Sequence, residues 1–385
     1  MRFSGFTDEW KSFKLKDLLH NKSSSISINQ LEDNVGNYPL YGASGFLKCI
    51  DFYEMDSDYI SIVKDGSGVG NISFHEKNTS VVNTSEYILP KENLNIHFIF
   101  YLLQTINLDK YKTGSTIPHI YFKDYSIEKV KIPKYDEQKK IGILLKNLDA
   151  KIEILDNKLQ MCQNFKKYLM QQIFTQKLRF DFDEIKLKSI SKINKGKQLN
   201  KEHMLEIGKF YVLNGGQEPS GYTDSWNTSE NTITISEGGN SCGFVNFNTE
   251  KFWSGGHCYY LNKLSENIDV YYLYSYLKFI EPQIMRLRVG SGLPNIQKGD
   301  IENIKIKILP KKEQIKISNL LLSTDNKISS IESQKDSFEI FKKGLLQQMF
   351  VVRINWRCNF KLAKSPSFNK HLLILKNKII FIIIE

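Results

Sequence analysis

One stretch of this sequence occurs twice, and the repeat limits the possible folds more than any other feature. Residues 137–174 and 313–350 align without a gap, and about 16 of their 38 positions are identical. About 138 residues of different sequence separate the two copies. A repeat of this length predicts two similar halves, each with one variable and one shared part.

The repeat continues upstream, at the same spacing for residues 112–120 and at a spacing four residues shorter for residues 13–16. Residues 112–120 (KTGSTIPHI) align with 288–296 (RVGSGLPNI), and residues 13–16 align with 185–188. Each half is therefore predicted to be a globular region followed by a helix. The predicted boundaries are 1–135 and 179–311 for the globular regions, and 136–178 and 312–350 for the helices.

Both repeated segments have the periodicity of a coiled coil. In the first copy, apolar side chains recur at alternating steps of four and three residues. The two series are Ile141, Leu148, Leu155, Cys162, Leu169 and Leu145, Ile152, Leu159, Lys166, Ile173. The second copy keeps this pattern but is interrupted by Thr324, Lys335 and Lys342. Because an apolar stripe must be buried, we expect the two helices to pair antiparallel. Two unrelated core helices are the alternative.

The globular regions have the pattern of mixed α/β domains. Strand-like runs at 59–63 and 232–235 precede the glycine-rich turns 65–71 and 237–243. A helix is predicted near 96–106 and 269–281, and a last strand at 127–132 and 301–308. The expected fold class is α+β: two mixed α/β domains separated by two long helices in an antiparallel coiled coil with pseudo-two-fold symmetry.

Charge and cysteine content narrow the class of protein. The net charge is +11, but residues 351–385 hold seven Lys/Arg and one acid, which leaves +5 for the other 350 residues. This balance is compatible with DNA binding. The five cysteines form no CxxC pair, which is typical of a reducing, cytoplasmic environment. The basic and apolar tail 351–385 follows the second repeat and is interpreted as a non-native extension, with a membrane-surface arm as the alternative.

No catalytic or metal-binding constellation is recognisable. The seven histidines show no paired metal-ligand spacing, and neither a nucleophile elbow nor a Walker A motif is present. Residues 112–115 and 286–291 combine cations, hydroxyl groups and glycine, which suits phosphate contact. A solvated loop is the alternative for both segments.

Repeated residues outside the helical seam suggest that one kind of partner docks once on each copy. A seam alone does not require identical residues at such positions. The docking candidates are Phe165, Lys166, Lys167, Gln171, Gln172, Phe341, Lys342, Lys343, Gln347 and Gln348.

Taken together, these motifs resemble the specificity subunit of type I restriction–modification systems. The resemblance covers roughly residues 5–350. It rests on Phe6…Glu9-Trp10…Leu15, on the two Gly-Ser-x-x-Pro-x-Ile segments, on Pro-Lys…Glu-Gln before each helix, and on the Phe-Lys-Lys…Gln-Gln helix ends. The chain departs from the family pattern in its abrupt start and in continuing past Phe350.

The resemblance implies that each globular region is a target recognition domain for one half of a gapped DNA site. The paired helices would fix the spacing of the half-sites and hold two modification subunits, which bring S-adenosylmethionine and flip the target adenine. Restriction subunits would use ATP and Mg²⁺, and this chain would make no bonds itself. A coiled-coil scaffold tethering two protein-binding domains is the alternative, and an enzyme with dispersed catalytic residues is a third possibility.

Polar loop residues are the candidates for DNA contact, with bases read by polar side chains and phosphates bound by Lys and Arg. In the first region they are Lys64, Ser67, Asn71, Lys112, Ser115 and His119. In the second region they are Lys197, Gln198, Asn240, Arg286, Arg288, Ser291 and Asn295.

Overall fold

A computed structural model of the protein describes residues 2–31, 33–175, 183–290, 292 and 294–350. The chain divides into two compact units. Among the described residues, unit 1 contains those up to Ile154 and those at 335–350, and unit 2 contains those at 155–334. The interpretation of 351–385 concerns residues outside the described ones.

The described part of unit 1 contains nine strands, three short helices, the first half of one long helix and the last part of another, α8 (Lys311–Phe350). Its strands are β1 (Lys11–Lys14), β2 (Leu19–Ser23), β3 (Tyr38–Gly42), β4 (Gly45–Ile50), β5 (Tyr59–Val63), β6 (Ile72–His75), β7 (Ser80–Val81), β8 (Ser85–Pro90) and β9 (Lys129–Ile132). Its helices are α1 (Leu15–Leu18), α2 (Ile96–Gln104), α3 (Phe122–Tyr125) and the first half of α4 (Tyr135–Phe174).

The described part of unit 2 contains the same numbers of strands and short helices. Its strands are β10 (Asp183–Lys186), β11 (Lys192–Lys195), β12 (Phe210–Leu213), β13 (Gly221–Thr223), β14 (Thr232–Ser236), β15 (Val245–Asn248), β16 (Trp253–Ser254), β17 (Cys258–Asn262) and β18 (Lys305–Ile308). Its helices are the second half of α4, then α5 (Val270–Phe279), α6 (Glu281–Met285), α7 (Lys298–Glu302) and the first part of α8 (Lys311–Phe350).

The sheet topology is the same in the two units. Unit 1 has a four-stranded antiparallel sheet in the order β2-β8-β5-β6, and unit 2 has one in the order β11-β17-β14-β15. Three-stranded sheets β4-β3-β7 and β13-β12-β16 each contain one parallel pair. Two-stranded sheets β1-β9 and β10-β18 complete the set. The repeat in the sequence is thus a repeat of the whole domain fold.

The central strands and the helices behind them follow from their residues. All five side chains of β5 and all five of β14 are buried, which explains their nearly continuous apolar or small-residue runs. Asn95 caps α2 by accepting from the Phe98 N–H, and Asp269 caps α5 by accepting from the Tyr272 N–H. The strands and helices predicted around 59–63, 96–106, 232–235 and 269–281 are confirmed. The last strands begin at Lys129 and Lys305, later than predicted.

The two long helices run antiparallel within each unit. In unit 1, Ile141 near the start of α4 lies in the same core cluster as Leu345 near the end of α8. In unit 2, Ile173 near the end of α4 lies in the same core cluster as Leu321 near the start of α8. The expected fold class is therefore confirmed.

A repeated glutamine ties the start of each long helix to the neighbouring domain helix. The Gln138 side chain accepts from the Asn95 N–H at 3.0 Å and donates to the Pro133 carbonyl at 2.9 Å. In unit 2, Gln314 accepts from the Asp269 N–H at 2.8 Å and donates to the Leu309 carbonyl at 2.7 Å. Both glutamines are buried, so this pair of identical residues has a structural role.

Candidate nucleic-acid interface

In unit 1, the chain leaves the central strand β5 through a turn that only glycines accommodate easily. Gly66, Gly68 and Gly70 have φ values of 84°, 91° and 87°, in the region that side chains rarely adopt. The turn closes because the Gly70 N–H donates to the Val63 carbonyl at 2.8 Å. A Cβ atom at Gly70 would lie 3.5 Å from Lys112 Cε. The turn therefore brings a cation from a second loop close to the backbone.

That second loop is the Gly-Ser-x-x-Pro segment. Thr113 and His119 close it by exchanging two main-chain hydrogen bonds, of 2.9 and 2.7 Å. The loop is joined to the glycine turn because the Gly66 N–H donates to the Pro118 carbonyl at 3.0 Å and the Ile120 N–H donates to the Lys64 carbonyl at 2.9 Å. We call this contact between the glycine turn and the Gly-Ser-x-x-Pro loop the loop junction.

Unit 2 has the same loop junction. Val289 and Asn295 exchange two main-chain hydrogen bonds of 2.9 Å. The Gly239 N–H donates to the Pro294 carbonyl at 3.0 Å, and the Ile296 N–H donates to the Glu237 carbonyl at 2.9 Å. These bonds make Glu237 the structural counterpart of Lys64. The junction is thus held by main-chain groups, and different side chains occupy equivalent positions.

Most of the predicted DNA-contact residues meet at these two junctions. Those of unit 1 lie on the glycine turn, on the Gly-Ser-x-x-Pro loop or directly beside them: Lys64, Ser67, Asn71, Lys112, Ser115 and His119. Those of unit 2 that lie on the corresponding segments are Asn240, Arg288 and Asn295. Arg286 precedes the loop, at the end of α6. Ser291 lies outside the described residues.

Lys197 and Gln198 lie on a different loop, which follows β11. The Lys197 N–H donates to the Ser254 carbonyl at 2.9 Å, and its own carbonyl accepts from Trp253 Nε1 at 2.8 Å. A Cβ atom at Gly256 would lie 2.6 Å from Gln198 Oε1. Because the Glu237 N–H donates to the His257 carbonyl, this loop adjoins the junction of unit 2 without forming part of it.

The junction of unit 1 borders a cavity of about 610 Å³ with cationic and anionic walls. Lys64, His119 and Lys123 line it, and so does Glu86. His119 Nδ1 lies 2.6 Å from Asp65 Oδ1. Glu86 is buried and accepts from Tyr125 OH at 2.6 Å, and burial raises the pKa of its carboxyl group. Glu86 was missed by sequence reasoning because its hydrogen-bond partners, Asn21 and Tyr125, come from distant parts of the chain.

In unit 2, a buried carboxylate lies at the junction itself. Glu237 accepts from Lys195 Nζ at 2.6 Å and from Tyr259 OH at 3.1 Å. His257 Nδ1 lies 3.6 Å from the other carboxylate oxygen. Asn295 Oδ1 is buried with no hydrogen-bond partner in the described part of the chain. Lys195 and Glu237 were both missed by sequence reasoning.

These polar groups can bind and orient a ligand. Among the described residues, no group of three or more His, Cys, Asp and Glu side chains could hold a metal ion. Within the same residues, none of the helices combines the length and apolar character needed to cross a bilayer.

The docking candidates lie on the last turns of α4 and α8 and differ in environment. Phe165 is 53% exposed, whereas Phe341 packs against the core of unit 1. Lys166 and Lys342 form ion pairs with the opposite helix, to Asp325 at 2.5 Å and Asp149 at 2.6 Å. Gln172 is half-buried. The exposed candidates are Lys167, Gln171, Lys343, Gln347 and Gln348.

Comparison with models of known protein families shows which family the sequence matches. The model of the type I restriction modification DNA specificity domain matches twice, at residues 7–162 and 180–339. The chain belongs to this family. Each match spans one globular region and most of the long helix that follows it, so each unit of sequence repeat is one family domain.

Several members of the family are similar to this chain. A Mycoplasma genitalium protein that bears the name of a type I specificity subunit is 34% identical over 147 residues, which are 38% of this chain and 38% of that protein. The specificity subunit of the type I restriction enzyme MjaVIII of Methanocaldococcus jannaschii is 21% identical over 398 residues, covering 90% of this chain and 93% of the relative.

The fold has also been seen in a solved structure. The crystal structure of the S subunit of a type I restriction–modification system from M. genitalium superimposes with a TM-score of 0.77 at 20% identity. The match covers 92% of this chain and 100% of that one. At this level of identity, the likeness establishes the fold.

Proposed function

We propose that this chain is the DNA specificity subunit of a type I restriction–modification complex, in which each unit reads one half of a gapped, bipartite site. The observation that carries the proposal is the loop junction. It is built twice by equivalent main-chain hydrogen bonds, while the side chains at matching positions differ, as Lys64 and Glu237 do. Two loop junctions with the same main-chain hydrogen bonds but different polar side chains suit the reading of two different half-sites.

At each loop junction, the candidate residues fall into two chemical groups, cations and neutral hydrogen-bonding side chains. Lys112, Arg286 and Arg288 are cations beside glycine turns and suit phosphate contact. Asn71, His119 and the amides of unit 2 are able to donate and accept hydrogen bonds at base edges. Sequence would then be read by amides and imidazole, and register on the duplex would be fixed by the cations.

The long helices would fix the distance between the half-sites and bind the partners. A gapped site needs a rigid separator, as half-site spacing depends on dimer geometry in other DNA-binding proteins. Two modification subunits would dock on the repeated residues at the ends of α4 and α8, and restriction subunits would join the full complex. S-adenosylmethionine would bind in the modification subunits, and ATP with Mg²⁺ in the restriction subunits.

In this arrangement, the chain supplies the sequence-specific DNA contacts and the surface on which the complex assembles, and its partners catalyse the reactions. Its cytoplasmic location follows from that of its DNA target.

Mapping methylated adenines tests the recognition function. The chain is co-expressed with its modification subunits in a host without other adenine methyltransferases, and the methylated sites of the genome are sequenced. We expect one gapped bipartite motif. Replacing the globular part of unit 2 by that of another family member should alter one half of the motif and leave the other half and the gap unchanged. Alteration of both halves would contradict the modular reading.

Stoichiometry tests the docking function separately. Native mass spectrometry should show two modification subunits per chain. Replacing Gln171 and Gln172 by alanine should release one of them, and replacing Gln347 and Gln348 should release the other. Gln160→Ala, at an exposed site in the middle of α4, is the matched control. Retention of both subunits by all variants would show that docking occurs elsewhere.

A further inference from the structure

We propose that Lys64 and Lys195 are equivalent contacts to DNA phosphate, one in each unit, although they are placed on different strands. The inference rests on the proposed function and adds a residue, Lys195, that alignment of the two halves does not suggest.

The sheet of unit 1 places three residues side by side on one face. Ser23 of β2 and Ile62 of β5 both lie directly opposite Glu86 of β8. Residues that lie opposite one another share a face of the sheet, and so do residues two apart along an extended chain. Lys64, two residues after Ile62, therefore lies on the face of Ser23 and Glu86.

Unit 2 has the same three positions with other residues. Lys195 of β11 and Ile235 of β14 both lie opposite Tyr259 of β17. Glu237, two residues after Ile235, lies on the same face. Lys195 is thus the counterpart of Ser23 of unit 1. The lysine therefore follows the central strand β5 in unit 1 and ends the edge strand β11 in unit 2.

Although the lysines come from different strands, their ammonium groups occupy corresponding places. Lys64 Nζ lies 3.4 Å from Ser23 Oγ, and Lys195 Nζ lies 2.6 Å from Glu237 Oε1. In both units the ammonium group therefore bridges the same two positions, the end of the edge strand and the end of the central strand. Both groups adjoin the loop junction, through the carbonyls of Lys64 and Glu237.

Among the described residues, Lys195 forms a direct ion pair with a buried carboxylate and Lys64 does not. Glu237 is 5% exposed, so Lys195 neutralises a buried carboxylate. Lys64 donates instead to the neutral hydroxyl group of Ser23, and it faces a cavity that it shares with Asp65, Glu86, His119 and Lys123. Burial raises the pKa of Glu86, and the charge of Lys64 offsets part of that rise. The Lys195 side chain is still 52% exposed despite its ion pair. Each ammonium group is therefore accessible to a further anion.

The retained position of the charge points to phosphate as that anion. The two units differ in sequence around the junction, so a contact common to both suits the part of DNA that does not vary with sequence. A lysine ammonium is a compact point charge on a flexible stem, which suits a phosphate oxygen.

The test uses the complete complex with its modification subunits and the duplex identified by methylation mapping. Lys64→Gln and Lys195→Gln should each weaken binding about fivefold at about 0.15 M salt, and should lower the salt slope of log K by about one. The methylated sequence should stay the same. The matched control is Lys131→Gln, at an exposed lysine of β9 in a separate sheet, which should bind like the unchanged protein.

Relocating the charge makes the test sharper. Lys64→Glu with Ser23→Lys and Glu86→Tyr gives these three positions of unit 1 the residues of unit 2, and should restore the affinity and salt slope that Lys64→Glu with Glu86→Tyr loses. The inference is overturned if both glutamine variants bind like the unchanged protein, if the methylated sequence changes, or if relocation restores nothing. Absence of sequence-specific binding by the unchanged complex would instead reject the proposed function, and the inference with it.

Discussion

Lys342 Nζ lies 2.6 Å from Asp149 Oδ1, and the pairing of Lys166 with Asp325 repeats this contact in unit 2. Both lysines stand in the seam of the long helices, where the heptad pattern calls for apolar residues. Each aspartate also accepts a hydrogen bond from a tyrosine, Tyr101 in unit 1 and Tyr271 in unit 2. The residue that seemed to weaken the second seam is therefore one member of a specific contact between helices.

Breaking this ion pair should destabilise unit 1 moderately. Because Lys342 and Asp149 are partly exposed, we expect a coupling energy of about 1 kcal/mol. A double-mutant cycle with Lys342→Met and Asp149→Asn, followed by urea unfolding, measures it. The reversed pair, Lys342→Asp with Asp149→Lys, should recover part of the stability. A coupling energy of zero would show that the two charges act independently.

Loss of the buried glutamine at a helix start should cost more. Gln138→Leu leaves the Asn95 N–H and the Pro133 carbonyl without their partner. Unsatisfied buried groups of this kind lower the free energy of unfolding by about 2 kcal/mol. Denaturant unfolding gives the value, and hydrogen exchange at the Asn95 amide locates it. Gln347→Leu, at an exposed site of α8, should change stability by less than about 0.5 kcal/mol.

Stability of unit 1 should decline in mild acid because of His75. This side chain is buried, is hydrogen-bonded to Ser61 Oγ at 2.8 Å and stacks on Tyr59. Burial lowers the pKa of His75 from 6.5 to about 4. Between these values the unfolded chain binds a proton that the folded chain does not, so the free energy of unfolding falls as pH drops, by up to about 3 kcal/mol.

Urea unfolding between pH 4 and pH 7 tests this dependence on His75. His75→Gln keeps a hydrogen-bonding group beside Ser61 and should flatten the pH profile over that interval. An unchanged slope in the variant would assign the acid sensitivity to other groups.

The Gly-Ser-x-x-Pro loop of unit 1 should not tolerate a side chain at Gly114. This residue has φ of +89°, and a Cβ atom there would lie 2.4 Å from the Ile117 carbonyl oxygen. Gly114→Ala should therefore distort the loop and, on the proposed function, weaken DNA binding by more than about tenfold. Gly292→Ala in the corresponding loop meets open space and should bind normally. Equal binding by both variants would mean that the shape of the loop is irrelevant to DNA affinity.

Much of the fold could be predicted from the sequence because its signals are local. The repeat and the heptad pattern predicted the two paired helices, and apolar runs bounded by glycine predicted β5 and β14. These patterns depend on residues near one another in the chain. The start of β18 was missed because Ile301, which continues the apolar run, belongs to the short helix α7.

The polar contacts could not be predicted in the same way because they join distant segments. Lys195 forms an ion pair with Glu237, which follows a strand two places away in the sheet, and Asp149 forms one with Lys342 on the other long helix. The main-chain hydrogen bonds of the loop junction pair Lys64 with Glu237, yet the charge of Lys64 corresponds in space to that of Lys195. Such equivalence depends on strand register, which no local pattern encodes.

The loop junction also bears on how new specificities arise. Its hydrogen bonds join peptide groups, as from the Ile120 N–H to the Lys64 carbonyl, and peptide groups are present whatever side chain a residue carries. Substitutions of the exposed side chains around the junction therefore leave its hydrogen bonds intact, whereas its glycines with positive φ are constrained. On the proposed function, the DNA sequence that the chain recognises can therefore change by single substitutions that leave the loop junction folded.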